Sequence, residues 1–192
     1  MIDERKEFFA WSSTHNLNHL VMYYKDVSAT LLERTRELER SEDRVKRANA
    51  HKFGELYPRL FCNSVFLMMY SWLEEHLDHA SRTPPFRPPE KGNGIRKYKP
   101  LFKAALGEEL GESEDWCFLM DASDVRHCLL HSAGRVDLMR NRGAMEAILK
   151  RRADCFEADR KRMHVLPQAL NEFHASSSRL LDRLIDHFTP LP

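Results

Sequence analysis

At 192 residues, with 42% apolar and 31% charged side chains, the chain suits one domain and can bury a core without disulfides or a structural metal. Its 30 Lys and Arg against 29 Asp and Glu leave a net charge of +1, so overall charge does not mark it as a nucleic-acid binder. The most apolar run, Ser64–Leu73, falls far short of the roughly 18 residues a membrane helix needs, and the four cysteines form no Cys-x-x-Cys pair and no signal-peptide pattern opens the chain, so a soluble, cytoplasmic protein is expected.

Leu17, Val21, Tyr24, Ser28, Leu31, Thr35, Leu38, Glu42, Val45 and Asn49 fall at steps of three and four, one stripe of a long N-terminal helix. Its second half, Glu33–Arg47, is nearly all charged outside Leu38 and Val45, which predicts a solvated extension packed on a narrow seam. Gly54 and Pro58 break the run, with Pro58 suited to the first turn of the next helix. That helix, from Tyr57, is apolar on nearly every side as far as Tyr70, as expected of a central helix, and turns amphipathic at Ser71–Leu77. Arg82–Gly94 is Pro- and Gly-rich and reads as a loop. The stretch Phe86–Lys103 holds Arg87, Lys91, Arg96, Lys97, Lys99 and Lys103 against Glu90 alone, so it can meet phosphate or be a plain solvated loop.

Helical pattern resumes at Lys97–Leu106 and again from about Ser113, where Ser113, Glu114 and Asp115 supply a cap and first-turn acids, with Gly134 as a stop. A further helix is expected from about Ala144 into the basic run Asp159–Met163, and a last one carries Leu170, Phe173, Ser177, Leu180, Leu184 and Phe188 on one face. No alternating strand, repeat, Gly-rich phosphate loop or dinucleotide fingerprint is visible. The expected fold is all-α: an up-and-down helical bundle with a long N-terminal helix, a core over about 14–137 and extra C-terminal helices over about 144–188, within a single domain.

The helix from Ser113 carries Arg126, His127 and His131, ionisable groups that are costly to bury unless paired or used. At about 100° per residue His127 and His131 share one face, whereas Arg126 and His131 lie about 140° apart. A straight helix cannot aim that Arg and that His at one atom; two copies about a twofold axis can, and so can a helix that unwinds near Ser132–Gly134. Taken alone, a His on an apolar helix is more often a packed core residue than a catalyst. The His127–His131 pair also suits zinc, although no Glu follows the first His and no third ligand is identified.

The stretch Arg126–His131, followed by Ser-Ala-Gly, resembles the Arg-x4-6-His signature of the HEPN superfamily (higher eukaryotes and prokaryotes nucleotide-binding domains), and Tyr70–Leu77 is similar to the amphipathic helix that commonly precedes it. The resemblance spans about Leu17–Asp137. A second match, Arg44–His51, lies in the charged helix and lacks the apolar surroundings. The resemblance implies a helical bundle that dimerises so that two motifs meet, and a metal-independent endoribonuclease, with no cofactor, of the kind found in toxin–antitoxin, phage-defence or RNA-processing systems. It implies an RNA substrate, a homodimer, and a cognate antitoxin or nucleotidyltransferase as partner. On that reading His131 takes the proton of the RNA 2′-hydroxyl or protonates the leaving 5′-oxygen, Arg126 holds phosphorane oxygens, His127 donates to phosphate or holds the neighbour of His131 in place, Asp124 orients a guanidinium or imidazole, and Lys97, Lys99 and Lys103 bind RNA. Active members most often carry Asn after the Arg where this chain has His127, and binding-only relatives exist. The alternatives are therefore a non-catalytic helical module that binds nucleotide, RNA or a partner protein, and a coiled-coil scaffold built on Ala10–Ala50.

Overall fold

The computed structural model describes residues 4–82, 86–89, 91–107 and 113–186. Thr83–Pro85 and Glu90 of the expected loop, and Phe188 of the last stripe, lie outside them. The class is all-α: helices α1 (Glu4–Glu39), α2 (Arg44–Ala48), α3 (Tyr57–Ser81), α4 (Lys99–Leu106), α5 (Glu114–His131), α6 (Arg142–Arg151) and α7 (Pro167–Ile185), with one small hairpin, β1 (Phe156–Asp159) and β2 (Arg162–Val165). No described helix is long and apolar enough to cross a membrane.

The N-terminal helix stops earlier than its stripe implies. After Glu39 the chain leaves the helix, and the Asp43 carboxylate accepts from the amides of Val45 (2.8 Å) and Lys46 (3.4 Å), capping α2 as a separate short helix. A short polar side chain that satisfies free amides outcompetes helix continuation, and Val45 is left exposed. A wide π-type turn, Lys52–Leu56, leads straight into α3 with Pro58 in the first turn. A Cβ on Gly54 would stand 3.2 Å from Thr35 Cγ2, so the missing side chain lets this turn close onto α1.

α1 and α3 are antiparallel: Phe9 meets His76 at one end, Tyr24 stacks on Phe61 near the middle, and Thr35 faces Gly54 at the other. α3 is central but not enclosed all round. Val65, Phe66, Met69, Tyr70, Leu73 and Leu77 are buried, whereas Leu60 (54% exposed), Ser64, Met68 (40%) and Ser71 form a stripe open to solvent. The expected α7 face is as read, with Leu170, Phe173, Ser177, Leu180 and Leu184 all buried. Phe173 packs edge-on against Phe66, and Phe66 against Phe156 of β1.

α5 is clamped along its length. Asp121, 4% exposed, receives the guanidinium groups of Arg151 and Arg152 at the end of α6. Arg152 also reaches Glu114 and lies over Phe118, and Arg179 of α7 binds Asp115 at 3.0 Å. The first-turn acids are thus spent on partners, and the Ser113 side chain makes no cap bond.

The expectation of a helix running into Asp159–Met163 is overturned. α6 ends at Arg151, and Phe156–Val165 pairs as an antiparallel hairpin with Phe156 opposite Val165 and Asp159 opposite Arg162. Arg160 and Lys161 form its two-residue turn at φ 47° and 69°, the primed geometry that fits strand twist. No Asn-Gly signals it, and left-handed backbone costs a residue with a Cβ about 1–2 kcal/mol. The hairpin survives because Phe156, Met163 and Val165 are buried and the Val165 amide donates to Asn63 Oδ1 at 2.8 Å.

His76 is buried between Phe9 and Trp72, its Nδ1–H donating to the Trp72 carbonyl at 3.0 Å, and burial holds its pKa below the ordinary value, as it does for His164 and His174. The unfolded chain then binds protons more readily than the fold, so stability present above the unfolded pKa of about 6.5 is lost as pH falls toward the folded values. Urea unfolding followed from about pH 7.5 to 5 is expected to show a falling midpoint, part of which His76→Gln removes. A midpoint independent of pH over that range contradicts it.

Candidate functional site

α5 is unbroken from Glu114 to His131. It closes immediately after: Ser132 caps it, Ala133 and Gly134 turn into left-handed backbone (φ 49° and 74°), and the Cys128 carbonyl accepts from the amides of both Ser132 and Gly134. The unwound-helix route to one composite site is therefore absent from this structure. Arg126 contacts Glu74 and Tyr70 of α3, whereas His131 is exposed.

Arg126 is held on two sides. Its guanidinium lies 3.2 Å from a Glu74 carboxylate oxygen and 4.9 Å from the centre of the Tyr70 ring, with about a quarter of each partner of the ion pair exposed (27% and 26%). Tyr70 is itself fully buried and fixed, its hydroxyl donating to Ser123 Oγ (3.0 Å) and accepting from the Ile95 amide (3.3 Å). A cation lying over a fixed ring and paired with one carboxylate oxygen is positioned by both. His127 and His131 are exposed, with ring centroids 4.7 Å apart, and neither hydrogen-bonds to another described residue.

Asp124 does orient a guanidinium, but it is that of Arg96, at 2.7 Å. This ion pair docks the basic segment 94–98 against α5, where Gly94 (φ 59°) lies so close to Tyr70 that a Cβ would stand 3.1 Å from the hydroxyl. Lys97 lies over the ring of Tyr98, and Lys99 and Lys103 are on α4 with exposed side chains. Arg44 and His51 are both exposed on and after α2, outside any apolar setting. Among the described residues no group of three or more His, Cys, Asp or Glu is placed to hold a metal ion, so the His127–His131 pair has no third ligand there. Burial pushes the thiols of Cys62 and Cys155 up to about 12 and that of Cys128 to about 11, which keeps them protonated and poor nucleophiles.

Glu74 and Tyr70 were not legible as site residues. Their helix reads as amphipathic, with Glu74 on its polar edge, and nothing in the local sequence of either helix pairs Glu74 with Arg126. A shallow groove of about 420 Å³ lies elsewhere, between α1 and α3, lined by Leu20, Leu67, Met68, Ser71 and Trp72. Compared with protein-family models, curated proteins and solved structures, the chain finds no match in any of the three.

The two supports of Arg126 differ in strength. Glu74→Gln loosens a half-screened ion pair and is expected to cost less than about 1 kcal/mol. Tyr70→Phe strands a buried donor and acceptor and is expected to cost about 1–3 kcal/mol. Urea unfolding of both variants checks the order; a larger loss for Glu74→Gln contradicts it.

Proposed function

We propose that the protein is a metal-independent endoribonuclease of the HEPN kind, acting as a homodimer in which Arg126 of one chain and His131 of the other meet at a shared groove. The observation that carries this reading is the pairing of an oriented, partly exposed guanidinium with two exposed imidazoles one turn apart on the same rigid helix. The reaction needs only these groups. An imidazole takes the proton of the RNA 2′-hydroxyl, the 2′-oxygen forms a bond to phosphorus, and the bond to the 5′-oxygen breaks as a second imidazole returns a proton to it. His131 is the proton acceptor, and His127 is placed beside it to donate. Arg126 carries the charge that builds on the phosphorane oxygens. Lys97, Lys99 and Lys103 extend the basic surface along which RNA lies, anchored at Arg96 and Asp124. An antitoxin or nucleotidyltransferase encoded alongside would place the enzyme in a toxin–antitoxin or defence system.

A second reading has its own support. In a single chain Glu74 already occupies Arg126, as suits a non-catalytic module that binds RNA, a nucleotide or a protein through this surface.

Cleavage assays separate the two. Arg126→Ala and His131→Ala are each expected to lower RNA cleavage by at least about 100-fold with helicity and melting near wild type, and chelator is expected to change nothing. Products should carry a 2′,3′-cyclic phosphate and a 5′-hydroxyl. Activity that survives both substitutions, or a 5′-phosphate on the downstream fragment, contradicts the proposal.

A further inference from the structure

Beyond α5 the chain does not leave the site. Gly134 accepts from the Met163 amide at 2.8 Å, the Val136 amide donates to the Lys161 carbonyl at 3.0 Å, and Arg135 bridges to Arg162. The Arg162 guanidinium donates to the Ala133 carbonyl at 3.3 Å. The β1–β2 turn is therefore pinned, backbone to backbone, to the residues that directly follow His131.

That turn is basic and its nearest acids are already engaged. Asp159 and Glu157 pair with Arg59 of α3, and Asp137 holds Arg135 in a two-bonded pair, with the Lys161 ammonium at 3.8 Å. Arg160 and Arg162 make no ion pair with a described residue, and Arg160, Lys161 and Arg162 are all exposed. Both central turn residues also sit at positive φ, where Asn and Gly are at ease and Arg and Lys are strained. Strain held beside a candidate site points to a role for the residues that bear it.

We propose that the hairpin tip, Arg160, Lys161 and Arg162, binds the phosphodiester backbone of the RNA strand that runs past His131. The inference rests on the ribonuclease reading for the identity of its ligand. It adds a contact surface from the C-terminal part of the chain, separate from the Lys97–Lys103 segment.

The double variant Arg160→Asn, Lys161→Gly tests it, because it installs the turn pair that this geometry prefers while removing two charges. The full chain should fold at least as well, with an unchanged or higher melting temperature. Binding is read by fluorescence anisotropy with a short 2′-O-methyl oligoribonucleotide, which cannot be cut, between about 50 and 200 mM salt. Affinity at the lower salt is expected to fall on the order of tenfold, and the slope of log affinity against log salt to become shallower by about 1.4, from two lost contacts of about 0.7 each. Equal affinity and slope in the variant overturn the proposal, as does a wild type that does not bind the oligonucleotide. Cleavage of an unmodified strand is scored separately: a wild type that binds through the tip but never cuts sinks the ribonuclease reading and leaves this contact standing.

Discussion

An α-helix turns about 100° per residue, and α5 keeps that turn to its last residue, so Arg126 and His131 cannot face the same way. Everything around the helix enforces this. Asp121 ties it to Arg151 and Arg152, Asp115 ties it to Arg179, and the Ser132–Gly134 turn closes it one residue past His131. With α5 helical through His131 the two side chains do not come together within one chain, so the proposed composite site takes its Arg and its His from two chains. The closed-symmetry solution is a twofold pair, in which the Arg of each copy lies opposite the His of the other.

In the proposed reading Arg126 is the group that meets phosphate. Its place over the Tyr70 ring and its ion pair with Glu74 would already remove part of the rotamer freedom that an exposed Arg loses on meeting a phosphate. The Tyr70 hydroxyl extends that order outward by binding Ser123 of α5 and the Ile95 amide, so the loop after α3, the motif helix and the guanidinium share one fixed ring. The two imidazoles differ: they have no tether among the described residues, and only each other's rings for company. The arrangement joins a positioned guanidinium to two exposed imidazoles, the division of labour the proposed chemistry requires.

The helical class was legible because the apolar spacing of α1 and α7 follows the helical period over long stretches, while α3 reads as a continuous apolar run and α5 announces itself by its cap and first-turn acids. The stripe Leu170, Phe173, Ser177, Leu180, Leu184 is buried as read. The break at Arg40–Asp43 was not legible, since the period continues through it and only the capping of Val45 and Lys46 by Asp43 decides the end. The hairpin was hidden for a related reason: Arg160 and Lys161 are helix-compatible residues, and burial of Phe156, Met163 and Val165 overrides local preference. Within the site, the placement of Arg126 relative to His131 follows from spacing alone. Glu74, Tyr70 and the Arg96–Asp124 pair are contacts between elements that no local pattern encodes.

Mixing the two inactive variants tests the shared groove most directly. Arg126→Ala and His131→Ala are each dead as pure dimers on this account, but a mixed dimer retains one intact Arg126 opposite one intact His131. After subunit exchange, the equimolar mixture is expected to recover about a quarter of wild-type cleavage, since about half the dimers are mixed and each has one working site of two. A mixture that stays as inactive as its parents, with exchange verified by mass, contradicts a site built across two chains.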